Sequence, residues 1–107
     1  MPRIQLQNKK YHWTNHAKDK MRHYNLSESR LKRVFRFPDR REDGVAENTM
    51  ACMQTAGSKK HTYEVWLMYQ MKENIIKIIS AWRYPGTSPV GGKIPVPQDI
   101  AEELGIR

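Results

Sequence analysis

The stretch from residue 63 to residue 84 constrains the fold most, because it joins two strand-like runs through a short polar link. In the first run, alternate side chains place one set of large residues on a common face: Tyr63, Val65, Leu67 and Tyr69. This period of two is typical of a strand. The second run, I-I-K-I-I-S-A-W, is almost continuously apolar, as in a strand buried on both faces. The link, residues 72–74, favours a turn in which Asn74 suits a left-handed backbone. We therefore predict an antiparallel hairpin at the centre of a small sheet.

A first helix is predicted upstream of this hairpin, with Thr14 as its N-cap. Its apolar stripe recurs at i, i+4 and i+7: Ala17, Met21 and Tyr24. The same spacing relates His16, Lys20 and His23, so we expect two imidazoles and an ammonium along one side of this helix.

A second helix is predicted to follow immediately. Ser27 is a good N-cap, and Leu26 and Leu31 occupy the two positions of a hydrophobic staple. Pro38 ends this helix, since it cannot continue the helical hydrogen bonding. The buried face is expected to contain Leu31, Val34 and Phe35.

Among the remaining segments, residues 39–44 are expected to form a charged turn and residues 47–56 a further strand. Cys52 is expected to be a buried strand residue, and a single cysteine excludes an internal disulfide. Residues 85–97 contain four prolines and three glycines, so we expect them to wrap the surface or stay mobile. A short helix ending at Gly105 is expected after them.

These elements predict an α+β protein in which two N-terminal helices pack on a three- to four-stranded antiparallel sheet. The predicted organisation is an N-terminal arm or edge strand at 1–10, one domain at 11–84, and a Pro/Gly-rich C-terminal tail at 85–107. Both helices are expected on one face of the sheet.

The charge distribution indicates a polyanionic partner. The formal net charge is +8, and residues 14–41 contribute nine Lys and Arg against three Asp and Glu, or +6 of it. Such a basic field favours nucleic acid or an acidic protein, although it is also compatible with a solvated surface that binds nothing. The candidate RNA-binding residues are Lys20, Arg33, Arg36, Arg40, Arg41, Lys59, Lys60 and His61. With neither an apolar signal segment nor a membrane-length apolar run, a cytoplasmic location is expected.

Three motifs, in this order along the chain, resemble the RelE/ParE-type toxin superfamily, and BrnT-like toxins in particular. They are the Y-H-W-T segment before Lys18, a helix that starts with L-S and ends with V-F-R-F-P, and the last-strand sequence I-I-S-A-W-R. A related group of uncharacterised small domains has a first helix similar to His16-Ala17 followed by Met21. This chain differs from BrnT-like toxins in three respects. Thr14 stands where those toxins usually have Asp, and Trp82 separates the Ala and Arg that are adjacent in them. A Pro/Gly tail follows the last strand, where those toxins commonly have a helix.

The resemblance implies a metal-independent, cofactor-free endoribonuclease that cuts mRNA on the ribosome and is neutralised by a separately encoded antitoxin protein. It implies phosphate stabilisation by Arg83, which occupies the position of the last-strand arginine. Tyr84 would stack on a base or transfer a proton, unless it only packs at the rim.

Acid–base chemistry points to His16 and His23, because histidine titrates near neutrality. A zinc site that includes His12 and Asp19 is a weaker alternative, since seven residues of helix separate His16 and His23 by about 10 Å. The alternative function is a non-catalytic RNA- or ribosome-binding domain with the same fold.

Overall fold

The computed structural model describes residues 10–106, in which five strands and three helices are present. In chain order they are β1 (Lys10–Trp13), α1 (Asn15–Tyr24), α2 (Glu28–Arg36), β2 (Arg40–Asp43), β3 (Met50–Gly57), β4 (Thr62–Lys72), β5 (Ile75–Pro85) and α3 (Gln98–Leu104). The sheet order is β1-β5-β4-β3-β2. The predicted α+β class is confirmed, and the interpretation of residues 1–9 lies outside the described residues.

The sheet is mixed rather than purely antiparallel, because β1 pairs in parallel with the first half of β5, from Lys10 opposite Ile75 to Trp13 opposite Ile78. Thr14 then hydrogen-bonds the Ile78 carbonyl, and α1 continues beside the rest of β5. The prediction of a turn at 39–44 was wrong, since β2 lies there and pairs antiparallel with β3. A charged segment can form this strand because it pairs on one side only.

The predicted hairpin of β4 and β5 is confirmed, with Glu73 rather than Asn74 in the left-handed conformation at its turn. A register shift leaves Ile79 without a partner on β4, since Tyr69 pairs with Ile78 and Met68 with Ser80. Such a bulge reverses the alternation of side chains beyond it. Ser80 and Trp82 therefore share a face with Met68.

The first face of the sheet, which includes Val65 and Leu67, is covered by α2 and part of α1. Both predicted N-caps are confirmed, because Thr14 accepts a hydrogen bond from the Ala17 N–H and Ser27 from the Arg30 N–H. Cys52 is also buried on this face, and burial raises its pKa to about 12, so the thiol stays protonated. The apolar helix residues of this face are Ala17, Met21, Leu26, Leu31, Val34 and Phe35.

The second face, which includes Trp66 and Met68, is covered by the segment after β5. Of the two alternatives expected for this tail, the structure shows it wrapped over the sheet, because Ile94 and Ile100 are buried there. Beneath them Trp66 and Trp82 stack with ring centroids 6.1 Å apart. The predicted terminal helix is confirmed as α3, with Gly105 as its left-handed C-cap.

Glu64 fixes the start of the tail to the second face, although it is only 1% exposed. Its carboxylate accepts hydrogen bonds from the Ser88 N–H at 2.9 Å, the Ser88 hydroxyl at 2.7 Å and the Trp66 indole at 2.9 Å. Arg40 donates to the Ser88 carbonyl and hydroxyl, both at 3.0 Å. A buried carboxylate is tolerated when donors surround it in this way. No helix within residues 10–106 has the length and apolarity needed to cross a membrane.

Candidate nucleic-acid interface

Arg83 is positioned by the C-terminal end of α1. Its Nε donates to the Tyr24 carbonyl at 2.6 Å and its Nη2 to the Asn25 carbonyl at 3.0 Å. The last carbonyls of a helix lack partners within the helix and carry partial negative charge, so a guanidinium is well suited to them. The Arg83 guanidinium also lies over the Tyr63 ring, 4.9 Å from its centroid. These contacts hold Arg83 on the first face, near the end of β5.

Arg30 and Arg33 of α2 approach this same end of the sheet, and we call the three residues Arg30, Arg33 and Arg83 the arginine cluster. Burial lowers the pKa of Arg30, and the positive charges of Arg33 and Arg83 lower it further, while Tyr63 and Asp39 act in the opposite direction. The sheet register agrees with this, because Gln54, which binds Arg30, pairs with Val65, and Val65 pairs in turn with Arg83. An anion placed among the three arginines would relieve the repulsion.

Gln54 of β3 organises the cluster. Its side-chain oxygen accepts a hydrogen bond from the Arg30 guanidinium. Its side-chain nitrogen donates to the Arg33 carbonyl at 3.3 Å and to the Phe37 carbonyl at 2.8 Å. One amide side chain thus binds the Arg30 guanidinium and the backbone carbonyls of Arg33 and of Phe37, the residue that follows this helix. The orientation of Arg30 and the end of α2 are therefore set by the sheet.

The turn between β3 and β4, residues 58–61, contributes further positive charge at this end of the sheet, and we call it the basic turn. Lys59, Lys60 and His61 are all exposed in it. Gly57 precedes the turn with φ of +86°, and a Cβ there would lie 2.2 Å from the His61 carbonyl oxygen. The turn is closed by a hydrogen bond from the His61 N–H to the Ser58 carbonyl at 3.1 Å. Its shape therefore depends on glycine at this position.

The predicted RNA-binding residues divide into two groups. Arg33, Arg36, Lys59, Lys60 and His61 are exposed. Arg41 is exposed too, but its guanidinium is engaged with other groups of the protein, as are the less exposed Lys20 and Arg40.

Lys20 is 6% exposed, and its ammonium contacts Asp99 at 2.8 Å and Glu103 at 2.7 Å. Arg40 lies over Trp66 and binds Ser88, as described above. Arg41 donates to the Tyr69 hydroxyl at 2.6 Å and to the Phe35 carbonyl at 2.7 Å. These three cations hold the tail and the β2 edge in place.

His16 lies in a polar network between α1 and α3. Its Nε2 shares a 2.9 Å hydrogen bond with the Ser80 hydroxyl, and its Nδ1 is 3.1 Å from the Glu103 carboxylate. A Ser–His–Glu order of this kind is found in hydrolases. Ser80, however, has no exposed surface, so a substrate cannot reach its oxygen in this conformation.

His23 and Tyr84 are the more accessible of the predicted catalytic residues. His23 is exposed, and its ring packs edge-on to Tyr24 with centroids 4.6 Å apart. Tyr84 is half-buried and lines an open groove of about 600 Å³ together with Tyr24, Arg83 and Lys93. The structure thus places His23, Arg83 and Tyr84 near the end of α1, whereas His16 faces α3.

Sequence reasoning missed Arg30 and Gln54 as site residues. Arg30 precedes Arg33 by three positions on α2, and this spacing places both on neighbouring parts of one helix surface. That signal was present in the sequence. The role of Gln54 depends on pairing between distant segments, and nothing local indicates it. Within residues 10–106 there is no group of three or more His, Cys, Asp or Glu side chains suited to a metal ion.

Comparison of the chain with protein-family models, with curated proteins and with solved structures returned no match in any of the three.

Proposed function

We propose that this chain binds RNA through the arginine cluster and the basic turn. The observation that carries the proposal is the arrangement of Arg30 and Arg83, both partly buried, beside the exposed Arg33 at one end of the sheet. Holding like charges together opposes folding unless an anion is available to neutralise them. Guanidinium groups match phosphate in both charge and hydrogen-bonding geometry. A phosphate between these arginines would turn a repulsive arrangement into a favourable one.

A polymer of phosphates suits this end of the molecule better than a single anion. The basic turn adds Lys59 and Lys60 beyond the cluster. The negative charge that acts on the pKa of Arg30 comes from the Asp39 carboxylate. One oxygen of Asp39 already accepts a hydrogen bond from the Thr55 N–H at 2.7 Å. Several cations spaced along a surface are the electrostatic footprint expected for a nucleic-acid backbone.

The test is the salt dependence of binding to a labelled single-stranded RNA. Each phosphate contact contributes about 0.7 to the slope of log K against log salt for a single strand. Arg33→Gln combined with Lys59→Gln should therefore reduce the slope by about 1.4 and weaken binding. The comparison with duplex DNA of the same sequence decides between RNA and DNA as the ligand.

A matched control removes the same charge elsewhere. Lys72 and Lys77 are exposed toward the opposite end of β4 and β5, and the six-residue step along β5 from Lys77 to Arg83 corresponds to about 20 Å. This separation exceeds the Debye length of about 10 Å at moderate salt. Lys72→Gln with Lys77→Gln should leave the slope unchanged. Equal slopes for the two double variants would reject the proposed interface.

A second candidate function is the RelE/BrnT-like ribonuclease, with the RelE/BrnT-like fold as the finer description of the architecture. The observation that favours it is α3, which follows the last strand as a helix commonly does in those toxins. In this candidate Arg83 stabilises the phosphorane, His23 or His16 transfers protons, and the message is cut on the ribosome. Tyr84 would act beside Arg83 in the groove, and an antitoxin protein would be the partner.

Expression in a bacterial host separates the two candidates. A ribonuclease toxin should slow growth, and His23→Ala should relieve this effect without loss of folding, because the His23 side chain is exposed. Arg83→Ala is a poorer choice, since Arg83 also holds the end of α1. If the chain is well expressed and binds RNA but leaves growth unchanged and cuts no message on ribosomes, the ribonuclease is rejected and RNA binding remains as the function.

A further inference from the structure

Phe37 is exposed in a position where the backbone around it is firmly held. Its side chain is 68% exposed, whereas Phe35, the other phenylalanine of the chain, is 1% exposed in the core. The Phe37 N–H donates to the Arg33 carbonyl at 2.9 Å, and its carbonyl accepts from Gln54 at 2.8 Å. The ring is thus directed to solvent by a fixed backbone and not by a loose loop.

An exposed phenylalanine forgoes the stabilisation that burial of its ring would supply. Among the described residues, Phe37 is the only aromatic in the set of strongly exposed large hydrophobic side chains. The others are aliphatic or thioether side chains: Val45, Met50, Met71, Ile75 and Val90. Aromatic rings dominate the energetics of interfaces, so a ring held at a fixed place on the surface is available to a partner.

The neighbours of Phe37 are cationic. Gln54 binds the Phe37 carbonyl, the Arg33 carbonyl and the Arg30 guanidinium with one side chain, so the backbone that carries the Phe37 ring lies beside the arginine cluster. Arg36 precedes it and is exposed. A flat apolar ring beside guanidinium groups matches a nucleotide, in which a flat base is joined to a phosphate.

We propose that Phe37 is a stacking platform for an unpaired base of the RNA whose phosphates lie at the arginine cluster. This inference rests on the proposed function and names its ligand class, single-stranded RNA or an unpaired loop. In a duplex each base face is already stacked on its neighbours, so Phe37 has no base to receive there. Aromatic stacking tolerates any base, so Phe37 selects for unpaired structure and not for sequence.

The test compares Phe37→Leu, Phe37→Trp and Val90→Ala in binding to a single-stranded RNA and to the same sequence fully paired. Phe37→Leu keeps a large apolar side chain but removes the aromatic face, and it should weaken single-strand binding by about 5- to 150-fold. Its salt slope and duplex binding should not change. Phe37→Trp should bind the single strand at least as tightly as the wild type. Val90 is 81% exposed in the tail, and its loss should have no effect.

The outcomes separate this inference from the proposed function. If Phe37→Leu binds like the wild type while Arg33→Gln weakens binding, Phe37 does not stack and the phosphate interface stands. The inference is also overturned if Phe37→Leu weakens duplex and single-strand binding equally, the result expected for a contact that needs no unpaired base. It is overturned as well if Phe37→Trp is as weak as Phe37→Leu, since an aromatic face would then not be what the site requires. A wild-type chain that binds neither RNA overturns both proposals.

Discussion

The first face of the sheet is covered mainly by a helix and the second mainly by a Pro/Gly-rich segment, and the two covers are held by different interactions. On the first face, α2 contributes Leu31, Val34 and Phe35 to a continuous apolar core. On the second face, the main buried anchors of the tail are Ile94 and Ile100. The buried carboxylate of Glu64 and the buried ammonium of Lys20 attach this tail by hydrogen bonds and ion pairs.

This difference follows from the backbone. A helix satisfies most of its own N–H and C=O groups, so apolar contacts are enough to fix it on a sheet. An irregular segment with its prolines has no such internal pairing, and its buried backbone groups need partners from elsewhere. Glu64 accepts the Ser88 N–H and Arg40 donates to the Ser88 carbonyl, which satisfies both backbone groups of this residue. On the second face, polar side chains therefore satisfy the backbone groups that internal helical hydrogen bonds satisfy on the first face.

The largest expected effect is the loss of the fold when the chain ends at Thr87. Ile94 and Ile100 together contribute about 3–6 kcal/mol by burial, against a total stability of about 5–15 kcal/mol for a domain. Truncation also removes Ser88, so the buried Glu64 carboxylate loses two donors. We expect no cooperative thermal transition by circular dichroism.

The control for this truncation is the full-length chain with Val90→Ala, which changes an exposed tail residue and should melt like the wild type. A truncated chain that still melts cooperatively near the wild-type temperature would show that the second face needs no cover.

The two covers are compared directly by removing one buried aliphatic side chain from each. Leu31 and Ile100 both have no exposed surface, and replacing either with alanine should lower the free energy of unfolding by about 2–5 kcal/mol. They belong to separate clusters on opposite faces, so the losses should be nearly additive. Urea unfolding of both single variants and the double variant measures this. A loss of less than about 0.5 kcal/mol for Ile100→Ala, typical of surface positions, would mean that the tail is only loosely attached.

A smaller effect is expected from Glu64→Gln, which tests the polar attachment alone. The carboxylate receives three donors, and an amide nitrogen in place of one oxygen would face a donor with another donor. The expected loss is about 1–3 kcal/mol. Glu47→Gln, at an exposed position, is the matched control and should change little. If Glu64→Gln and Glu47→Gln are equally stable, the tail is attached to the second face by apolar contacts and the Glu64 hydrogen bonds contribute nothing measurable.

The same contrast explains how much of the fold could be predicted from the sequence. The helices and the central hairpin have periodic apolar patterns and local caps, so Thr14, Ser27 and the alternation from Tyr63 were sufficient to find them. The tail has no period, and its anchors Ile94 and Ile100 are separated by residues that contribute little to the core. Its packing depends on Glu64, which looks like an ordinary surface residue in an alternating strand.

The candidate site shows a similar limit. Charge composition was enough to select Arg33 and the basic turn, because both are exposed. Charge composition could not show that Lys20, unlike these residues, is occupied by an ion pair, because its partner Asp99 lies 79 positions away along the chain. Nor could it show that Arg83 holds the end of α1, since this contact arises only after α1 packs beside β5. Local sequence predicts which side chains carry charge, and tertiary structure decides which charges remain available.

The smallest effect concerns the ion pair between α1 and α3, and it should appear mainly as a dependence on pH. Burial tends to raise the pKa of Asp99, but hydrogen bonds from Lys20 and Tyr24 outweigh it and hold the pKa below the usual 3.8. A carboxyl whose pKa is lowered by folding stabilises the protein above its unfolded pKa, and this stabilisation is lost as the pH falls through the folded value. The attachment of α3 should therefore weaken below about pH 4.

Asp99→Asn removes this dependence. The groups that bind Asp99 stay protonated in this range. Burial raises the pKa of Tyr24 to about 12, and although burial lowers the pKa of Lys20, its contacts with Asp99 and Glu103 outweigh this and raise it. At neutral pH the variant should be less stable by no more than about 1 kcal/mol, since the Asp99 side chain is 37% exposed and solvent screens the pair. Below pH 4 its stability should approach that of the wild type, as measured by urea unfolding at a series of pH values. Glu102→Gln, which alters an exposed carboxylate that accepts a hydrogen bond from Gln98, should follow the wild-type profile. If Asp99→Asn also follows that profile throughout, the tail is held on the second face by Glu64 and its apolar anchors without help from this ion pair.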